Sequence, residues 1–127
     1  MQEKHLFEYA VIRVVPLVER EEFMNVGVIL YCAKLKYLQV RYQLNKEKLC
    51  GFNNALDIET IEHYLAALEG ICAGLPGSSP IAQLPIPERF RWLTATRSTV
   101  VQTSKVHPGF CSDANAMLQQ LFTQLVL

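Results

Sequence analysis

The sequence has no excess of either charge, and that absence excludes more than any motif in it allows. Twelve Lys and Arg balance twelve Asp and Glu over 127 residues. A neutral chain has no long-range field to draw it onto nucleic acid or an anionic membrane, so neither is expected as the main partner. Long apolar runs are missing too. Residues 10–15 form a short apolar run broken by Arg13, too little for a membrane span or a signal core. There is no Walker loop, no GxGxxG and no GxSxG, which removes the familiar routes to nucleotide hydrolysis and serine chemistry. The turn-rich residues 76–80 lack the lysine and following helix that a phosphate loop requires. None of Cys32, Cys50, Cys72 and Cys111 sits at CxxC spacing. His107 and Cys111 are four apart, but two ligands do not make a metal site. The expectation is a cytoplasmic protein with reduced thiols, no metal and no cofactor.

What is present is a chain of one-domain length, residues 1–127, half of it apolar. Residues 9–15 are β-branched and end at Pro16, which predicts a strand after a frayed start at residues 1–8. A charged connection, residues 17–24, leads to a second strand at 25–32. That strand is apolar on both faces and therefore central. Gly27 inside it marks a bulge or a close approach by another group. Residues 37–42 alternate cleanly, with Leu38, Val40 and Tyr42 inward and Tyr37, Gln39 and Arg41 outward. One helical turn is expected from Asn45 to a stop at Gly51. A longer helix starts at the N-cap Asp57, repeats Ile58, Ile61, Leu65, Leu68 and Cys72, and ends at Gly74. Residues 74–88, rich in Pro and Gly, predict irregular chain. Residues 96–103 predict a last strand, His107-Pro-Gly a turn, and Ala114 through Leu125 a closing amphipathic helix with an uncharged outer face. The fold class is α+β: a small, mainly antiparallel sheet of about four strands with two principal helices packed on it as a second layer.

Polar chemistry concentrates in residues 89–107. Arg89, Arg91 and Arg97, with Ser98, Thr99 and Lys105 nearby, have the forked donors that phosphates and carboxylates accept. If this stretch is extended, Arg89 and Arg91 point to the same side. The competing reading is neutralisation inside the fold, because residues 51–87 carry Asp57, Glu59, Glu62 and Glu69 and no Lys or Arg. Trp92 interleaves with the arginines as a stacking platform would, although a core role is the commoner one. His107 is a candidate contact or base. Arg13 in mid-strand must reach water or a carboxylate. Glu19 and Glu22 are the candidate acid–base groups. They are equally candidates to accept Arg13 or Arg97.

Two blocks carry a resemblance: residues 9–16 with 19–32, and residues 89–102 with His107-Pro-Gly. Together they resemble the bacterial family catalogued as domain of unknown function 3037, from Tyr9 to the last helix. The matching residues are Arg13, Glu19, Arg20, Phe23, Asn25, Gly27, Arg89, Arg91, Trp92, Arg97, Ser98 and His107. The resemblance brings no assigned activity. Genes of the family often lie beside those of HipA-like kinases, which implies a companion protein. The function expected is a non-catalytic accessory or binding domain for such a partner, with an Arg-rich anion site. The ligand candidates are Arg13, Arg20, Asn25, Arg89, Arg91, Trp92, Arg97, Ser98 and His107. The alternatives are a phosphate-ester or nucleotide-binding enzyme and, behind it, a nucleic-acid binder. A homo-oligomer is compatible with all three.

Overall fold

The computed structural model describes residues 3–20, 22–53, 55–95, 97 and 99–127. Strand β1, His5–Val14, lies at the centre of an antiparallel sheet. Strand β2, Met24–Cys32, pairs along one side of β1, and β3, Tyr37–Tyr42, pairs outside β2. Two short strands share the other side of β1. Strand β4, Val101–Thr103, pairs with Ile12 to Val14, and β5, His107–Cys111, pairs with His5 to Tyr9. The helices are α1, Lys46–Phe52, α2, Ile58–Ala73, α3, Ile86–Leu93, and α4, Ala114–Leu125. The antiparallel sheet with helices packed on it is the α+β class expected.

Its layering differs from the expectation. Helices α2 and α3 cover one face of the sheet, over Ala10, Ile12, Val14, Ile29 and Leu38. Helix α4 covers the opposite face, over Phe7, Val28, Leu30 and Cys32. The protein thus has three layers. The reason was present in β2, whose two apolar faces both need cover. The face of β3 read as outward lies beside α4: Tyr37 donates to Asn115 Oδ1 at 3.1 Å, and Arg41 donates to Gln119 and lies over the Phe122 ring. Burial, with Asp113 adding to it, pushes the Tyr37 hydroxyl up to about 12.

Four local expectations are corrected. Residues 5–8 belong to β1, because β5 pairs with them. His107-Pro-Gly is therefore an edge strand and no turn. Pro108 is tolerated there because an edge strand needs its N–H groups on one side alone. A Cβ on Gly109 would lie 2.5 Å from Phe7 Cζ, so the glycine leaves room for that ring to cross it. Residues 86–88 start a helix within what read as irregular chain. Pro85 is its N-cap residue and Pro87 stands in its first turn, where no intrahelical N–H is required. Finally, α1 runs through Gly51 and ends at Phe52, with Asn53 as its C-cap. The helix caps Asn45, Asp57 and Gly74 fall where the sequence put them. The Thr60 hydroxyl and then its N–H hold the Asp57 carboxyl below the usual carboxylate range.

Of the strand read at residues 96–103, the described part forms a strand only at β4, with one further backbone bond from Val15 N–H to Val100 O. The gap between β4 and β5 is closed by a side chain. Buried Ser104 accepts the Val11 N–H through Oγ at 2.8 Å, while its own N–H donates to Val11 O. A hydroxyl thereby replaces a missing ladder bond.

Candidate functional site

The sheet separates the sequence candidates into two groups. Arg89, Arg91 and Trp92 lie on α3, and Arg97 follows it; α3 belongs to the layer with α2. Arg13, Asn25 and His107 lie on strands. Arg13 pairs with Asn25, and His107 pairs with Tyr9, which packs toward α4. Ser98 lies outside the described residues.

Helix α3 changes what the arginines can do. At 3.6 residues per turn, positions two apart diverge by about 200°. Arg89 and Arg91 therefore point apart, where an extended chain would have aligned them. Arg89 turns toward α2 and donates to Ile71 O at 3.3 Å and Cys72 O at 3.4 Å. Helix α2 has no basic residue in its last turn, so a guanidinium from the next helix meets its exposed carbonyls. Gly74, at φ 67°, makes room for it: a Cβ there would overlap Arg89 Nη1. Arg97 does the same for α3. It donates to Trp92 O and Leu93 O and lies 4.3 Å over the Trp92 ring. The neutralisation weighed in the sequence thus runs through helix-end carbonyls instead of glutamates. Arg91 is exposed and has no bonded partner among the described residues.

The remaining candidates separate further. Arg20 bonds Glu22 across two residues, both exposed. Glu19 stands exposed in the short turn Val18–Arg20. His107 is exposed and packs on the Tyr9 ring, centroids 5.4 Å apart. Burial pushes the Cys72 thiol up to about 12 despite the pull of Arg89, and burial also raises Cys111, so neither of these two thiols is set up as a nucleophile. Among the described residues no three His, Cys, Asp or Glu side chains gather to hold a metal ion, and no helix is long and apolar enough to cross a membrane. A hollow of about 630 Å³ lies against the start of α2, lined by Leu17, Leu56, Ile61, Tyr64 and Val101 among others. Asp57 is the one charged residue in it among the described residues.

Arg13 is different. It sits beside a bulge: Ile12 pairs with Gly27 and Arg13 with Asn25, so Val26 is passed over. Val26 turns into the core under α2, and polar Asn25 comes opposite Arg13 in its place. The bulge expected at Gly27 is thus real, and the close approach is too, since a Cβ on Gly27 would stand 2.8 Å from Arg41 O. The Arg13 guanidinium lies 4.0 Å over the ring of Phe23, which is 45% exposed. Among the described residues no carboxylate lies within ion-pair distance of Arg13. Its Nε is buried without a hydrogen-bond partner, and so is Asn25 Oδ1. Asn25 Nδ2 is committed to Leu125 O, at the end of α4, at 3.1 Å. Phe23 and the bulge were singled out in the sequence, but nothing there showed that they frame Arg13.

A family model described as "Protein of unknown function (DUF3037)" matches residues 9–126. The chain belongs to that family. No curated protein and no solved structure matches it. The family description names no activity, so the geometry alone bears on function. It offers a guanidinium, that of Arg13, with no carboxylate within ion-pair distance among the described residues, and a helix α4 without charged residues.

Proposed function

We propose that this chain is a non-catalytic accessory domain that binds a partner protein along the sheet face beside α4. The observation that carries this reading is Arg13, its guanidinium carbon over exposed Phe23, with no carboxylate within ion-pair distance among the described residues. Folding leaves a buried donor unsatisfied only at a cost of about 1–3 kcal/mol, so such a group calls for a partner from elsewhere. The neighbouring surface fits a protein partner. Asn115, Ala116, Gln120, Thr123 and Gln124 are exposed on α4, and no charged residue follows Asp113. Interface centres are depleted in charge in the same way. His107 and Tyr9 extend the strip along β1.

The anion-binding part of this reading rests on Arg13, with Arg91 as an outlying cation. A phosphate-ester or nucleotide enzyme would need Arg89, Arg91 and Arg97 to converge on one hollow, whereas two of them donate to separate helix ends. A nucleic-acid binder would need a basic field that a neutral chain lacks.

Mixing the domain with a HipA-like kinase, the companion that the resemblance implies, tests the reading. Sedimentation at micromolar concentration is expected to show a complex that Arg13→Ala or Phe23→Ala weakens and Arg91→Ala does not. A domain that sediments alone beside that kinase counts against it. A second copy of the chain as the occupant would appear as a dimer in the same run.

A further inference from the structure

We infer that the hollow at the start of α2 is a binding site for a small apolar molecule that carries one amine. It lies apart from the partner face, because α2 covers the sheet face opposite α4.

The hollow is built by the fold. Two of its lining residues, Ile61 and Val101, are buried members of the core beneath α2. Two others, Leu17 and Val100, remain 44% and 41% exposed. Apolar side chains thus run from the core out to solvent through one concavity. Hydrogen bonds hold its walls in place. The Val15 N–H donates to Val100 O at 2.6 Å. The Ala55 N–H donates to Asn53 Oδ1 at 2.8 Å, and the Asp57 carboxylate caps α2 through Thr60. The volume of about 630 Å³ falls within the range of small-molecule sites, about 300–1,000 Å³. Walls that are already set lose little freedom when the space is filled.

The lining selects the occupant. Among the described lining residues there is no Lys, Arg or His, and Asp57 is the one charge. A fatty acid, a phosphate ester or a nucleotide would bring its anion against that carboxylate. A peptide is disfavoured for another reason. The polar side chains of the lining are committed within the chain: Asn53 to Ala55, Thr60 to Asp57, and the Thr99 hydroxyl to Val101 O at 2.7 Å. A peptide backbone entering here would give up water at its N–H and C=O groups and find few replacements. A compact apolar body has no such groups to satisfy.

Asp57 specifies the remaining function. Thr60 donates one bond to each of its oxygens, and a carboxylate accepts about four. Those same bonds hold the carboxyl below the usual carboxylate range, so it is ionised at neutral pH. Asp57 is also exposed. An ammonium group bonded to it keeps part of its water while the apolar body enters the hollow, and the cost of burying a charge is avoided.

Methyl NMR of Ile61 and Val101 tests the inference with three probes that share one body. They are 4-phenylbutylamine, 4-phenylbutanol and 4-phenylbutyrate. The amine is expected to move both residues to saturation at millimolar concentration and low salt. It should bind about threefold more tightly than the alcohol and about tenfold more tightly than the carboxylate, since an exposed ion pair attracts one head and repels the other. Added salt should shrink both ratios. Asp57→Asn keeps the helix cap, because asparagine caps about as well as aspartate, and it should erase the ranking. Val100→Lys, at a side chain already in water, should weaken the amine and favour the carboxylate. The inference is overturned if the amine moves neither residue up to its solubility limit. It is overturned equally if the carboxylate or the alcohol binds as tightly as the amine, or if Asp57→Asn leaves the ranking intact. Signals that move when the protein alone is concentrated would seat a second copy in the hollow. Signals that move on adding a HipA-like kinase would seat the partner there. Either result removes the small molecule as occupant.

Discussion

Arg89 and Arg13 are the same residue type at similar partial burial, and folding uses them in opposite ways. Arg89 meets the carbonyls of Ile71 and Cys72 at the end of α2, where a cation is worth most to a helix without one of its own. Arg13 meets a phenyl ring and no carboxylate among the described residues. Both keep a buried Nε without a partner among the described residues, but Arg89 has its Nη1 engaged by two carbonyls. The difference teaches that local density of basic residues is a poor guide to a binding site. The arginine-rich stretch around α3 closes helix ends, and the isolated arginine in a strand is the one left without a carboxylate or carbonyl partner among the described residues.

If Arg89 stabilises α2 as described, the largest effect should follow from displacing it by way of Gly74. Gly74→Ala forces an alanine into φ 67° and puts a methyl group on Arg89 Nη1. The expected loss is about 3 kcal/mol in urea unfolding, combining the left-handed backbone cost with the lost charge-assisted bonds. Arg89→Ala alone should cost about 2 kcal/mol. The double variant should fall short of the sum by about 1–2 kcal/mol, since the same bonds are lost once. Full additivity would mean that Gly74 does not serve Arg89.

The sequence carried the sheet and the long helices because their signals are local. Alternation in β3, the Asp57 and Gly74 caps and the stripe of α4 each depend on neighbours a few residues away. Strand β5 was illegible because His107-Pro-Gly has turn composition, and it becomes a strand only because Phe7 crosses Gly109. Helix α3 was hidden by Pro85 and Pro87, which mark irregular chain everywhere except at a helix start. Arg13 was recognised as needing a partner. That no carboxylate among the described residues would reach it, and that a bulge would bring Asn25 opposite it, depends on pairing between residues far apart in the chain.

A smaller effect separates the edge of the sheet from either arginine. Ser104→Ala removes the acceptor for a buried Val11 N–H and should cost about 1.5 kcal/mol. Arg97→Ala should cost about 1 kcal/mol by freeing the end of α3 and the Trp92 ring, and it should change the tryptophan emission. An unchanged emission spectrum would show that the Arg97 stack does not persist in solution.

The smallest stability effect, and the one that decides the comparison, belongs to Arg13. Its contact with Phe23 contributes about 0.5–1 kcal/mol, as an exposed cation–π pair does. Against this stands the cost of holding Nε–H buried and unbonded, about 1–3 kcal/mol for such a donor. Truncation removes both, so Arg13→Ala should leave unfolding within about 0.5 kcal/mol of the parent or raise it slightly. The same variant should lose most of the partner affinity. A residue whose removal spares the fold and ruins binding is held for something outside the chain. Should Arg13→Ala instead cost as much as Arg89→Ala, its charge would be serving the interior, and the contrast between the two arginines would collapse.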